Sequence, residues 1–187
     1  MSVVGPLVLL VSVGWVIVTL LTVAAATFAV LAWRRPTTAT TAATVGLTVV
    51  ALLVAALLPV PSPGFVALLV TVAALVLSVA GGSAVTRAVL DRVAFDEAEG
   101  AHGGLVAADG RERLRGGAVI GLLERLAVTG AIVAGFPEAL AVVIAIKGVG
   151  RFSELETGAV RERFIVGTLT SWLWAASVAG IVLLVRT

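Results

Sequence analysis

Long apolar runs, interrupted by short polar or proline-bearing breaks, set the pattern of this chain. The first covers residues 3–33 and stops at Arg34-Arg35-Pro36. A second, 44–58, is short and can borrow 39–43, because threonine hydroxyls can bond to their own helix backbone. Pro59, Pro61, Pro63 and Gly64 then form a turn that no helix crosses. The third run, 65–85, leads into an amphipathic tail, 86–95. Runs at 116–135, 138–150 and 164–185 follow, with the tight turn Gly135-Phe136-Pro137 between the first two. A bilayer core of about 30 Å is crossed by about 20 helical residues. The pattern therefore predicts about six spans, the second and fifth the weakest.

Between the third and fourth runs lies the one clearly aqueous segment, 91–115. It holds Asp96, Glu97, Glu99, His102, Asp109, Arg111, Glu112, Arg113 and Arg115 among several glycines. It reads as a charged linker, with a short hairpin at 104–110. The chain thus divides into a three-helix membrane half (1–90), a linker (91–115) and a second three-helix half (116–187). A secretory signal peptide would have a basic start and an apolar stretch of about 7–15 residues. Met1-Ser2-Val3-Val4 carries no base and the run is far longer, so it reads as a retained helix. Opposite orientations of the two halves would suit an inverted repeat. The charges of the second half have no counterpart in the first, which argues against one.

Composition agrees with the pattern. Of 187 residues, 60% are hydrophobic and only 13% charged, which leaves too little polar surface to cover a soluble globule. Because lipid admits only helices or closed barrels, the fold class expected is all-α, a polytopic helical membrane protein. The absence of cysteine excludes disulfides and thiolate metal sites. A pI near 10.4 suggests nucleic acid, yet the net charge is only +2. The bases fall at the ends of the runs, where they determine topology. Arg34, Arg35, Arg87, Arg92, Arg111, Arg113, Arg115, Lys147, Arg151, Arg161 and Arg163 lie on one set of alternating ends, and Arg186 alone on the other. The positive-inside rule puts the first set in the cytoplasm and both termini outside, as a multi-pass protein of the cell membrane.

Charge inside the apolar runs is the candidate chemistry. Glu124 and Arg125 interrupt the fourth run, Lys147 and Arg151 lie in or just below the fifth, and Glu154 follows. Each ionisable group at a helix centre costs about 2.5–3.5 kcal/mol on insertion scales, so such groups persist where they pair or work. If the turn centres at Phe136–Pro137, antiparallel packing brings Glu124 level with Val149, between Lys147 and Arg151. Arg125 comes level with Gly148, within reach of Lys147 and the loop carrying Glu154. Lys147 and Arg151, four residues apart, share a helix face. Three readings compete: a structural ion-pair clasp with snorkelling side chains, a site for an anionic headgroup or phosphate, and a proton- or ion-coupled pathway. No metal quartet and no nucleophile–base pair can be assembled, and His102 reads as a solvated loop residue. No cofactor is implied, and catalysis is the weakest reading.

Small residues add a packing signal. Gly117 and Gly121 form a G-x-x-x-G, and Gly167, Ser171, Ala175 and Ala179 recur every four residues. Such stripes let helices approach closely in lipid, within one chain or between copies. Trp15, Trp33, Trp172 and Trp174 suit interfacial anchors or packing rings, Trp33 beside Arg34 being the clearest belt residue.

The C-terminal run has a further pattern: Arg115-Gly116-Gly117, Ile120-Gly121-Leu122-Leu123-Glu124-Arg125, Ala145-Ile146-Lys147-Gly148, Gly150-Arg151-Phe152-Ser153-Glu154-Leu155, Glu162, and Gly167-Thr168-Leu169-x-Ser171. Over residues 113–180 it resembles a C-terminal module of uncharacterised bacterial, actinobacterial-type, multi-pass membrane proteins. Some members of that family carry a His and Asp motif in their first helices that this chain lacks, and the resemblance implies no activity. It does imply that the Glu-Arg, Lys, Arg-Phe-x-Glu and Gly-Thr-Leu positions form one site. The expected site is a cytoplasm-facing pocket between spans four, five and six, built from Glu124, Arg125, Lys147, Arg151, Glu154 and Glu162. Transport of a small solute or ion, or binding of anionic lipid, is one function class. A non-catalytic scaffold or partner subunit with structural ion pairs is the alternative.

Overall fold

A computed structural model describes residues 4–93, 115–151 and 158–187. The linker hairpin at 104–110 and Glu154 lie outside the described residues. Six α-helices follow one another: α1 Val4–Arg34, α2 Thr38–Ala56, α3 Gly64–Leu90, α4 Arg115–Val133, α5 Ala139–Arg151 and α6 Gly158–Arg186. No strand occurs among the described residues. Four stretches are long and apolar enough to cross a membrane: Leu7–Arg34, Thr38–Ala56, Gly64–Leu90 and Arg161–Arg186. Ala139–Val149 is a shorter apolar helix.

Local sequence explains the boundaries. Thr37 caps α2 by accepting from the Thr40 amide at 3.1 Å, while the Thr40 hydroxyl accepts from the Thr37 amide at 3.3 Å. The helix thereby starts at Thr38, one residue before the stretch 39–43 that the short second run was expected to borrow. Thr44 and Thr48 are buried and donate to the carbonyls one turn back, at 2.8 and 2.7 Å. The amphipathic tail after 85 continues α3 as far as Leu90. At the other end of the chain, α6 begins at Gly158, six residues before the apolar run, so its first turns carry Arg161, Glu162 and Arg163.

Two stacked apolar clusters hold the bundle and fix the helix directions. In one, Trp15 and Val18 of α1 meet Ala51 and Ala55 of α2, Val66 and Val70 of α3, and Ile181 and Val185 of α6. In the other, Ala25, Ala26 and Ala29 meet Ala74, Leu77, Ala80, Trp174, Val178 and Val182. Higher numbers on α1 thus go with higher numbers on α3 and lower numbers on α6, so α1 and α3 run one way and α6 the other. Apart from Trp15, Leu77, Trp174 and Ile181, the apolar clusters are built from alanine and valine. Leu9, Leu10, Leu20, Leu53, Leu68, Leu69, Leu169 and Leu173 face outward. Large apolar side chains outside and small ones at helix contacts is the arrangement suited to lipid.

The tryptophans divide accordingly. Trp15 and Trp174 are buried packing rings, and Trp33 is exposed at the end of α1. The small stripe of α6 is consumed inside the chain: Gly167 faces Thr86 and Leu90, Ser171 and Ala175 meet α4, and Ala179 is buried.

Candidate functional site

Beyond the second apolar cluster, toward the C-terminal end of α3, lies a polar layer. Its position depends on how α4 ends. Gly135 adopts φ +71°, the left-handed conformation that favours glycine. The Phe136 amide donates to the Ala131 carbonyl at 2.9 Å and the Gly135 amide to the Ile132 carbonyl at 3.1 Å. This paired closure stops α4, and Pro137 prevents its resumption. α5 folds back antiparallel along α4, in the register that brings Lys147 to Glu124.

Lys147 Nζ donates to Glu124 Oε2 at 2.6 Å, with side-chain exposures of 16% and 8%. The ammonium also lies 5.3 Å from the centre of the Phe164 ring on α6, a cation–π contact. Glu124 Oε1, the other carboxylate oxygen, is buried and without a hydrogen-bond partner.

Arg125 turns the other way. Its Nε donates to the Val79 carbonyl at 3.1 Å, Nη2 to Ser83 Oγ at 2.7 Å and Nη1 to Ser171 Oγ at 3.3 Å. One guanidinium therefore ties α4 to α3 and α6. Two glycines make the space: a Cβ on Gly82 would meet Arg125 Cδ and lie 2.8 Å from its Nε, and one on Gly81 would lie 2.7 Å from the Trp174 ring. Glycine within a helix costs about 1 kcal/mol relative to alanine, and here the close approach of α3 to its neighbours requires it. One turn deeper, Ser78 and Thr129 hydroxyls bond at 2.6 Å, and Thr129 also donates to the Ala175 carbonyl at 3.4 Å. Trp174 Nε1 donates to the Leu77 carbonyl at 3.3 Å. Ser78 to Thr129 and Ser83 to Arg125 make α3 and α4 antiparallel, while Arg125 to Ser171 and Thr129 to Ala175 make α4 and α6 parallel.

The six expected site residues separate into groups. Glu124 and Lys147 meet, as the antiparallel register predicts. Arg125 does not point to Lys147, because hydroxyl and carbonyl acceptors await it on α3 and α6; the loop at 152–157, its other expected neighbour, lies outside the described residues. Arg151 ends α5 one turn beyond Lys147, and Glu154 falls outside the described residues. Glu162 is exposed on the first turns of α6. Ser78, Val79, Ser83, Thr129 and Phe164 were not expected at the site. Gly81-Gly82-Ser83 near the end of the third apolar run was the available signal. Among the described residues no three His, Cys, Asp or Glu side chains group to hold a metal ion.

Taken together, fold and site define an all-helical protein of membrane type, with a charged pair and an arginine clasp in one polar layer. No family model matches the sequence, and neither a curated protein nor a solved structure matches it.

Proposed function

We propose that the protein is a six-span integral protein of the cell membrane, with its base-rich end in the cytoplasm and both termini outside. It binds an oxyanion, a phosphate-type headgroup or a small anionic solute, at the polar layer. Alternating helix directions support six spans, since α4 runs against α3 and with α6. α5 supports them too: Val142, Ile144, Ile146 and Val149 face outward, whereas Lys147 turns in toward Glu124. A helix that hides its central charge and displays its aliphatic side chains is made for lipid. With 13 residues it measures about 20 Å, shorter than the hydrocarbon core, and local thinning of the bilayer accommodates it.

The observation that carries oxyanion binding is the charge balance of the layer. Among the described residues of the layer two cations, Arg125 and Lys147, stand against one carboxylate, and the Arg125 guanidinium donates to three neutral oxygens. A guanidinium stays charged, so the layer holds a net positive charge in apolar surroundings, which an anion would neutralise. Arg125 itself favours the second reading, a structural clasp, because its three nitrogens are all engaged. Native mass spectrometry of purified protein separates the two. Co-purifying anionic lipid, lost in Lys147→Met with the fold intact, supports binding. No anion retained by either protein supports the scaffold.

A further inference from the structure

Glu124 is the one acid among the described residues of the polar layer, and its two oxygens are not equivalent. Oε2 accepts from Lys147, while Oε1 is buried with no partner in a side chain more than nine-tenths buried. A buried carboxylate oxygen without a donor is costly. Resting on the oxyanion reading above, we infer that Glu124 is the proton acceptor that admits the anion, so that one proton and one oxyanion bind together.

The chemistry follows from which cation is accessible. Arg125 is held by α3 and α6, which leaves Lys147 as the ammonium an anion can reach. Glu124 already occupies Lys147, and an anion arriving there would meet the carboxylate at close range. A proton taken from the cytoplasmic side onto Oε1 removes that repulsion and turns the orphan oxygen into an O–H donor. Lys147 is released to donate to one oxygen of the anion, and Oε1–H donates to another. No covalent bond forms or breaks apart from the O–H of the acid. The layer starts with one excess positive charge, so one proton bound together with a dianion such as sulfate brings it to neutrality.

The groups around Glu124 leave this role to it. Lys147 faces it from α5 and Arg125 neighbours it on α4. α6 brings the Phe164 ring against Lys147. The ionisable residues of α3 and α6 toward that end, Arg87, Arg161, Glu162 and Arg163, are all exposed.

Purified full-length protein in neutral-lipid nanodiscs, titrated with sulfate between pH 5 and pH 8, tests the inference. Sulfate does not titrate in that range, so pH dependence belongs to the protein. Affinity is expected to fall about tenfold per pH unit where Glu124 loses its proton, with about one proton taken up per sulfate in weak buffer. Glu124→Gln should bind sulfate independently of pH and without proton uptake, and Lys147→Met should not bind it. Nanodiscs with phosphatidylglycerol should compete with sulfate if the natural anion is a lipid headgroup, and should not if it is a free solute. Sulfate binding with no proton uptake, or uptake that survives in Glu124→Gln, overturns the linkage and leaves the oxyanion site standing. Failure of wild type to bind either anion at any pH overturns both. Should Glu124→Gln not fold, zero uptake by wild type still overturns the linkage.

Discussion

Glu124 and Arg125 are adjacent in sequence and opposite in role. Arg125 reaches into the bundle, where three helices converge and small residues let their backbones approach. Its hydrogen bonds to Val79, Ser83 and Ser171 end on oxygens that do not titrate at physiological pH. Glu124 faces the rim, where α5 packs on α4 and is held by one ion pair and one ring contact. One charge is fixed by neutral acceptors on a packed scaffold. The other is matched by a single flexible amine on a lightly held helix. The difference teaches that a charge inside a membrane helix is not one kind of feature: its acceptors and the packing of its partner helix decide whether it fastens or works.

The largest effect expected is on the clasp. Arg125→Ala removes the donor for Val79, Ser83 and Ser171 and deprives Glu124 of the cation next to it on α4. Breaking a buried charged network in this way costs about 3–5 kcal/mol. Chemical unfolding in detergent micelles should show it as the steepest loss among single variants. Gly82→Val tests the same region from the other side, because the added Cβ collides with the arginine stem. Overpacking of this kind costs about 1–3 kcal/mol. A Gly82→Val protein as stable as wild type would mean that α3 does not approach α4 as closely as described.

For the rim, a double-mutant cycle on Glu124→Gln and Lys147→Met is the sharper tool. Each single change leaves a buried partner unmatched, and the double change removes both. A coupling of about 0.5–3 kcal/mol is expected, with the double variant more stable than the sum of the singles predicts. Additive losses would mean that the two side chains do not meet. Ser83→Ala and Ser171→Ala should each cost less, roughly 0.6 kcal/mol, the usual scale of a hydrogen bond between membrane helices.

Much of this could be read from the sequence, for reasons that differ by residue. Gly135-Phe136-Pro137 sets a turn of known geometry, so the register of α4 on α5 and the Glu124–Lys147 pairing followed from local chemistry alone. The direction of Arg125 did not. A residue's face on a helix can be counted, but the acceptors it finds there belong to helices whose rotation the sequence leaves open. Arg125 bonds to residues more than 40 positions away in both directions, and no local rule links 79 or 83 to 125, or 125 to 171. Ser83 is legible only through Gly81 and Gly82 beside it, which make room for Trp174 and Arg125. Trp15 and Trp174 went inward for a related reason: a helix packed with alanine leaves room that a large ring can fill. The apolar pattern marks only 164–185, whereas α6 begins at Gly158 and carries Arg161, Glu162 and Arg163 in its first turns, because a helix end outside the apolar run leaves no hydrophobic signal.

The smallest effect expected concerns Glu162, which the sequence grouped with the charged site. It is exposed, flanked by Arg161 and Arg163, and sits near the start of α6, where the helix dipole favours a negative side chain by about 0.3–1 kcal/mol at most. Glu162→Gln should therefore change stability by less than about 0.5 kcal/mol, as exposed surface changes do. It should also leave the Glu124–Lys147 coupling intact, since charges at the wet end are screened over about 10 Å at ordinary salt. Measuring the coupling energy in the Glu162→Gln background decides the matter. An unchanged coupling keeps Glu162 outside the working pair. A coupling that falls by half or more would move the boundary of the site out to the first turn of α6 and make the rim, not the buried pair, the part that a ligand meets first.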